Sequence, residues 1–161
     1  MDDSDNTELG LAPRWTRQQG VDIRAPLRCE VLATGQNATA LRRQLHGWLA
    51  VDLPPAVVGD VVLAVYEAIV NAAEHAYADH ADGPGLVCLE AHRAADHLLI
   101  TVSDQGRWRR TGTGGSRGRG IPLMRRLIQN IHTRCDHSGT VVHLRAELPS
   151  TYLAQLATEV G

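Results

Sequence analysis

The sequence predicts an α/β sandwich, with helices covering one face of a mixed, largely antiparallel sheet. Three observations carry that expectation. Helical periodicity runs through two consecutive stretches, 37–50 and 55–78. Apolar strand-like runs then come in pairs, GLVCLEAHRA with HLLITVSD and IHTRCD with TVVHLRAEL, each pair joined by a short turn and so forming a hairpin. A chain of 161 residues also suits one domain, which at that size hides about two-thirds of its unfolded surface. Layering helices on a sheet is the way such elements bury their apolar faces.

Taken in order, Met1 to about Ala25 are polar, acidic at the start and without periodicity, and are expected to form a flexible leader. The folded domain is assigned to 26–149 and a short helical tail to 150–161. LRCEVLA, from Leu27 to Ala33, alternates as a strand does. Asn37 is read as the cap of the first helix, in which Leu41, Leu45, Trp48 and Leu49 recur at helical spacing. Pro54 and Pro55 open a second helix, where a missing N–H costs little. It is expected to run to about Ala78. After the first hairpin, Gln105 to Arg117 holds four glycines and no hydrophobic pattern, as a glycine-rich loop does. A third helix is expected from Ile121 to Asn130, then the closing hairpin around HSG and the tail TYLAQLATEV.

Composition narrows the function classes. A net charge of -2 argues against general affinity for nucleic acid. All 16 basic side chains are arginine, and Arg107, Arg109, Arg110, Arg117, Arg119, Arg125 and Arg126 fall close together, so attraction for anions is local. Without lysine the chain cannot form a P-loop. Cys29, Cys88 and Cys135 are odd in number and form no CxxC pair, which suits free thiols in a reducing cytosol. The N-terminus lacks the pattern of a signal peptide. The longest apolar run, Ala56 to Val65, is interrupted and too short to cross a bilayer. A soluble cytoplasmic protein with no membrane partner is expected.

The second helix carries the chemistry. Val62, Tyr66, Ile69, Val70 and Ala73 are read as its core stripe, with Glu67, Asn71, Glu74 and His75 on the opposite side. Four-residue spacing stacks Glu67 on Asn71. An oxygen pair of this kind suits magnesium, and a carboxylate beside it can orient or deprotonate a hydroxyl. The other reading is a solvated polar face; Val61, Ala64, Ala68 and Ala72 around these oxygens favour a lined cavity. His75 reads either as part of the site or as a packing or capping side chain.

Two glycine turns follow. Asp104 ends an apolar strand and Gly106 comes two residues later; alone, D-x-G is a common turn. Gly118-Arg119-Gly120 sits just before the third helix, where main-chain N–H groups and bare glycines accept phosphate. Together, in this order, the pieces point to a nucleotide site.

At this point the chain resembles the GHKL superfamily of ATPases, and within it the anti-sigma factor serine/threonine kinases of bacteria. The resemblance covers about Leu27 to Leu148. It rests on ExxxNAxxHAY from Glu67 to Tyr77, SDQGRWR from Ser103 to Arg109, RGRGIPLM from Arg117 to Met124, and SGTVVHL from Ser138 to Leu144. It implies the Bergerat-type two-layer sandwich, with ATP and Mg2+ as cofactors. It also implies roles: Glu67 as general base, Asn71 as magnesium ligand, and Asp104 as acceptor of the adenine amino group, with Gly106 making room. Gly118, Arg119 and Gly120 would cradle phosphates through backbone amides. Thr140 would bond adenine, or Asp104 through a water. Arg109, Arg110 and Arg117 are candidates for neutralising the γ-phosphate. Trp108 stands where the family often has a second glycine, a mark shared with kinases of the RWR type.

The implied partners are a sigma factor and an anti-sigma factor antagonist that supplies the phosphorylated serine or threonine. No phosphoacceptor-histidine helix pair is expected upstream. Homodimerisation is also implied, with the first helix and the strand before it as the candidate surface. A nucleotide-binding docking module without kinase activity is the alternative.

Overall fold

The computed structural model describes residues 12–17, 20–78, 80–107, 128 and 130–159. Their strands are β1 (Leu27–Leu32), β2 (Leu86–Arg93), β3 (His97–Asp104), β4 (Asn130–Asp136) and β5 (Gly139–Glu147). They form one five-stranded sheet in the order β1-β2-β3-β5-β4. Every described ladder is antiparallel, in keeping with the largely antiparallel sheet expected. Both expected hairpins form, β2 with β3 and β4 with β5.

Three α-helices complete the described elements: α1 (Gly35–Leu49), α2 (Pro55–Asn71) and α3 (Ser150–Glu159). The core lies between α1, α2 and one face of the sheet. Leu41, Leu45 and Leu49 of α1 are fully buried and meet the alternate residues Val87, Leu89 and Ala91 of β2, Leu98, Ile100 and Val102 of β3, and Val142 and Leu144 of β5 in one cluster. Their burial removes the α1 leucines from the surface where a homodimer contact was expected. Trp48 is instead half-buried and donates its Nε1–H to the Ala25 carbonyl at 3.1 Å.

Local readings are corrected in four places. The cap of α1 is Thr34, whose hydroxyl accepts from the Asn37 N–H at 3.2 Å. Asn37 lies inside the first turn and sends its own amide to the Leu32 carbonyl at 2.9 Å. On α2 the buried residues are Val58, Val61, Val62, Ala64, Val65, Ala68 and Ile69, so the small residues expected to line a cavity are core. The true stripe is centred between Val61 and Ala68, because Ala64 and Ala68 let the helix approach the sheet closely. Asn130 begins β4, so no helix extends to it; 121–127 lie outside the described residues.

Finally, Pro55–Ala76 forms one continuous helical stretch, long and apolar enough by length and composition to cross a membrane. Its apolar side is committed to the core described above.

The segment read as a flexible leader makes defined contacts over its described part. Arg14–Thr16 form a 3-10 turn with Thr16 buried. The Ile23 N–H donates to the Arg93 carbonyl at 2.8 Å, and Asp22 meets His92 at 2.8 Å. The Arg24 guanidinium lies 4.2 Å from the Trp48 ring centroid and 2.8 Å from Asp52. Asp52 also takes the fully buried Arg93 at 3.1 Å. A buried guanidinium demands such a partner, since an unpaired one costs several kcal/mol, on the order of 3–5. The Tyr152 hydroxyl of α3 donates to the Asp52 carbonyl, so leader, sheet and tail meet at one acid.

Candidate functional site

Glu67 and Asn71 occupy the last two turns of α2, both half-buried, with Ala68 and Ala72 beside them in the core. The two residues therefore stand at the rim between core and solvent, where a hard cation keeping most of its waters can be met by one or two protein ligands. That donor chemistry fits magnesium. Among the described residues no group of three or more His, Cys, Asp or Glu could hold a metal.

Past Asn71 the helix widens. Ala72–Ala76 are π-helical, a local expansion that often accompanies functional sites. Glu74 is exposed, and His75 is half-buried with its Nε2 3.7 Å from Glu74. The widened end is stitched to the exit of β3. The Ala76 carbonyl accepts from the Arg107 N–H at 2.7 Å. Tyr77 adds a double clamp: its hydroxyl donates to the Leu86 carbonyl at 2.6 Å and accepts from the Gln105 N–H at 3.0 Å. Burial raises the Tyr77 pKa, against the opposing effect of the bond from the Gln105 N–H.

Asp104 closes β3 and is buried. Its Oδ1 accepts from the Gly106 N–H at 3.0 Å, the Asx turn that the D-x-G spacing predicts. Directly opposite in the β3–β5 ladder stands Thr140, at 1% exposure. Thr140 Oγ1 also reaches Cys135 Sγ at 3.4 Å. Two glycines make this corner possible. A Cβ on Gly106 would stand 2.1 Å from the Ala76 carbonyl oxygen, and one on Gly139 would stand 1.9 Å from that of Asp104. Gly139 also has φ +133°, a conformation in which other residues are strained.

The structure thus brings Asp104, Gly106 and Thr140 to one corner, and ties the helix end that carries Glu67 and Asn71 to the same strand exit. Arg109, Arg110, Arg117, Gly118, Arg119 and Gly120 lie outside the described residues, as does Trp108. A cavity of about 480 Å³ opens elsewhere, on the outward side of α1 beside Thr39, Arg42, Arg43, His46 and Gly47. It touches none of the residues named above. Its described lining residues include no carboxylate.

Sequence reasoning missed the clamp by Tyr77, the π-helical widening and the close approach of Gly139. The HAY run and the HSG turn were the signals available for the first and last. Nothing in the composition of AAEHA marks a π segment.

Comparison with known proteins agrees with this fold. The profile of the histidine kinase-like ATPase domain matches residues 31–146. Blue-light-activated histidine kinase 2 of Erythrobacter litoralis (strain HTCC2594) is 31% identical over 106 residues, covering 58% of this chain and 29% of that protein. The crystal structure of the RsbU and RsbW domains of Rv1364c from Mycobacterium tuberculosis superposes with a TM-score of 0.64 at 27% identity, over 78% of this chain and 33% of that one. The histidine kinase domain of the Erythrobacter litoralis EL346 blue-light activated histidine kinase shares the fold, with a TM-score of 0.54 at 23% identity over 79% of this chain and 65% of that one. The chain therefore spans about a third or less of the length of the first two.

Proposed function

The chain belongs to the histidine kinase-like ATPase domain family, and from that premise we propose that it is a Mg-ATP-dependent protein serine/threonine kinase acting as an anti-sigma factor. It would phosphorylate an anti-sigma factor antagonist and sequester a sigma factor, working in the cytoplasm. One observation carries the nucleotide part of this reading: a buried Asp104 faces Thr140 at the strand exit that holds the Glu67–Asn71 helix end. The likeness to a chain containing an RsbW domain supports the choice of kinase class.

Each residue has a task. Asp104 accepts from the purine amino group, and Gly106 lets the ring lie against bare backbone. Asn71 would hold magnesium, which when bound would supply positive charge against the phosphates. Glu67 takes the proton of the attacking hydroxyl. Gly118, Arg119 and Gly120 cradle the phosphates, and Arg109, Arg110 or Arg117 offsets the charge that develops in transfer. The acceptor gains about two negative charges, enough to change which partner it holds.

The test is incubation with ATP, magnesium and a candidate antagonist, followed by intact mass. Gain of one phosphate that survives mild acid supports the proposal. An acid-labile phosphate would mark the histidine chemistry named for the Erythrobacter relative, and a retained complex without phosphate would mark a docking module.

A further inference from the structure

We infer that His132 and His143 form a chelating pair for an exchangeable transition-metal ion of the zinc or copper type, on the face of the sheet turned away from α1 and α2. That placement follows from strand alternation. Val142 and Leu144 of β5 and Ile100 and Val102 of β3 enter the core, and Ile131 of β4 packs against it. The residues between them point the other way, so Thr101, His143 and His132 share the opposite face. They also share one row. His143 stands directly across from Thr101 in the β3–β5 ladder and from His132 in the β4–β5 ladder.

The two imidazoles have centroids 6.4 Å apart and planes inclined by 23°. Metal–nitrogen bonds of about 2.0–2.1 Å place two ligating nitrogens within roughly 4 Å of each other. His132 lies on the edge strand of the described sheet and makes no hydrogen bond among the described residues, so its ring is free to turn and close that distance. His143 is already oriented, with Nδ1 3.1 Å from Thr101 Oγ1. With the proton on Nδ1, the ring donates to that hydroxyl oxygen and the Nε2 lone pair is left to ligate. An outer partner of this kind is what fixes ligating histidines.

The donor type selects the ion. Imidazole suits zinc, copper and nickel, whereas magnesium prefers oxygen. Burial lowers the pKa of both half-buried rings, reinforced at His143 by His132 and at each by Arg134. The neutral imidazole that results is the ligating form. Arg134 also opposes a bound cation, but its side chain is 57% exposed and turned to Asp136 at 3.4 Å, so solvent and that carboxylate blunt its charge. On the other side Arg145 is paired with Glu147 at 2.5 Å. Two protein ligands are fewer than resident zinc sites have, so water completes the shell and the ion exchanges. Once bound, it ties β4 to β5 within the hairpin that carries Thr140. The pair needs neither nucleotide nor kinase activity, so it stands or falls apart from the proposed function.

The test is calorimetry of the metal-stripped full chain with Zn2+ or Cu2+ alone. Each should bind, and excess Mg2+ should not displace it. Thr101→Val should weaken binding about tenfold or more by releasing the His143 ring, and His132→Asn and His143→Asn should each weaken it further. Zn2+ should raise the wild-type Tm as mass action requires and leave that of His132→Asn unchanged. A second readout needs no variant: one equivalent of Cu2+ on wild type should show two nitrogen donors by electron paramagnetic resonance. A chain that binds neither ion overturns the inference. So does binding that both asparagine variants retain in full, which would put the ion on other histidines, or a copper spectrum with a single nitrogen donor.

Discussion

Gly106 and the carbonyl oxygen of Ala76 are so close that a methyl group on the glycine would lie 2.1 Å from that oxygen. This contact joins the end of the π-helical segment to the turn after β3, and so joins the two halves of the candidate site. Gly106→Ala should force them apart. Overpacking of this kind costs about 1–3 kcal/mol, and each kcal/mol should lower Tm by roughly 2–4 °C in a domain of this size. A melt of the variant that superimposes on wild type would show that the turn relaxes freely.

Tyr77 fixes the same junction from the other side. Tyr77→Phe keeps the ring packing but removes the hydroxyl shared by Leu86 and Gln105. Leaving those groups unpaired should cost about 1–3 kcal/mol. Hydrogen exchange should speed up at the Gln105 amide, and the loss of ATP affinity should be larger than any change in the far strands β4 and β1.

Asp104→Asn tests base recognition with little disturbance of the fold, since an amide oxygen can still accept from the Gly106 N–H. What is lost is the charge. A bond to a charged group is worth about 1.5–3 kcal/mol, so calorimetry should show ATP binding weakened by roughly ten- to a hundredfold. Unchanged affinity would remove Asp104 from the purine site.

Glu67→Gln separates chemistry from binding. Loss of a general base should slow phosphoryl transfer by at least about a hundredfold. ATP affinity and the melting temperature should stay near wild type, because Glu67 is half-buried at the rim and not in the core. Turnover equal to wild type would take the base role from this residue.

The leader contact should depend on pH. Burial of His92 works against its charge, but its hydrogen bonds to the Asp22 and Glu90 carboxylates and their negative charges outweigh this and raise its pKa. The stabilisation is therefore full below the ordinary histidine value of about 6.5, and is lost as pH rises through the higher folded value. His132 and His143 act in the opposite sense: burial lowers both, reinforced by Arg134 and, for His143, by His132. Comparing His92→Gln with wild type isolates the leader contribution. The difference in Tm should be largest near pH 6 and shrink towards pH 8.5, and a constant gap would count against the charged anchor.

How far the sequence led is clear from individual residues. Strand alternation in LRCEVLA and HLLITVSD and the D-x-G spacing are local signals, and each became the element or turn it implied. The cap of α1 was misassigned because Thr34 and Asn37 are both good capping types, and only the chain direction before Gly35 decides between them. The stripe of α2 was set off-centre because Val and Ala occur all round the helix. Which valines face inwards depends on the sheet they meet.

By itself the sequence determined the two-layer α/β class and named the carboxylate, amide and glycine set proposed as a nucleotide site, because periodicity and motif spacing act over a few residues. Only the tertiary structure decided that Asp104 faces Thr140, that Tyr77 clamps both strand ends, and that Arg93 and Arg24 converge on Asp52. Those relationships join residues far apart in the chain. They are set by strand register and by the need to partner buried polar groups, and neither is written in any single stretch of sequence.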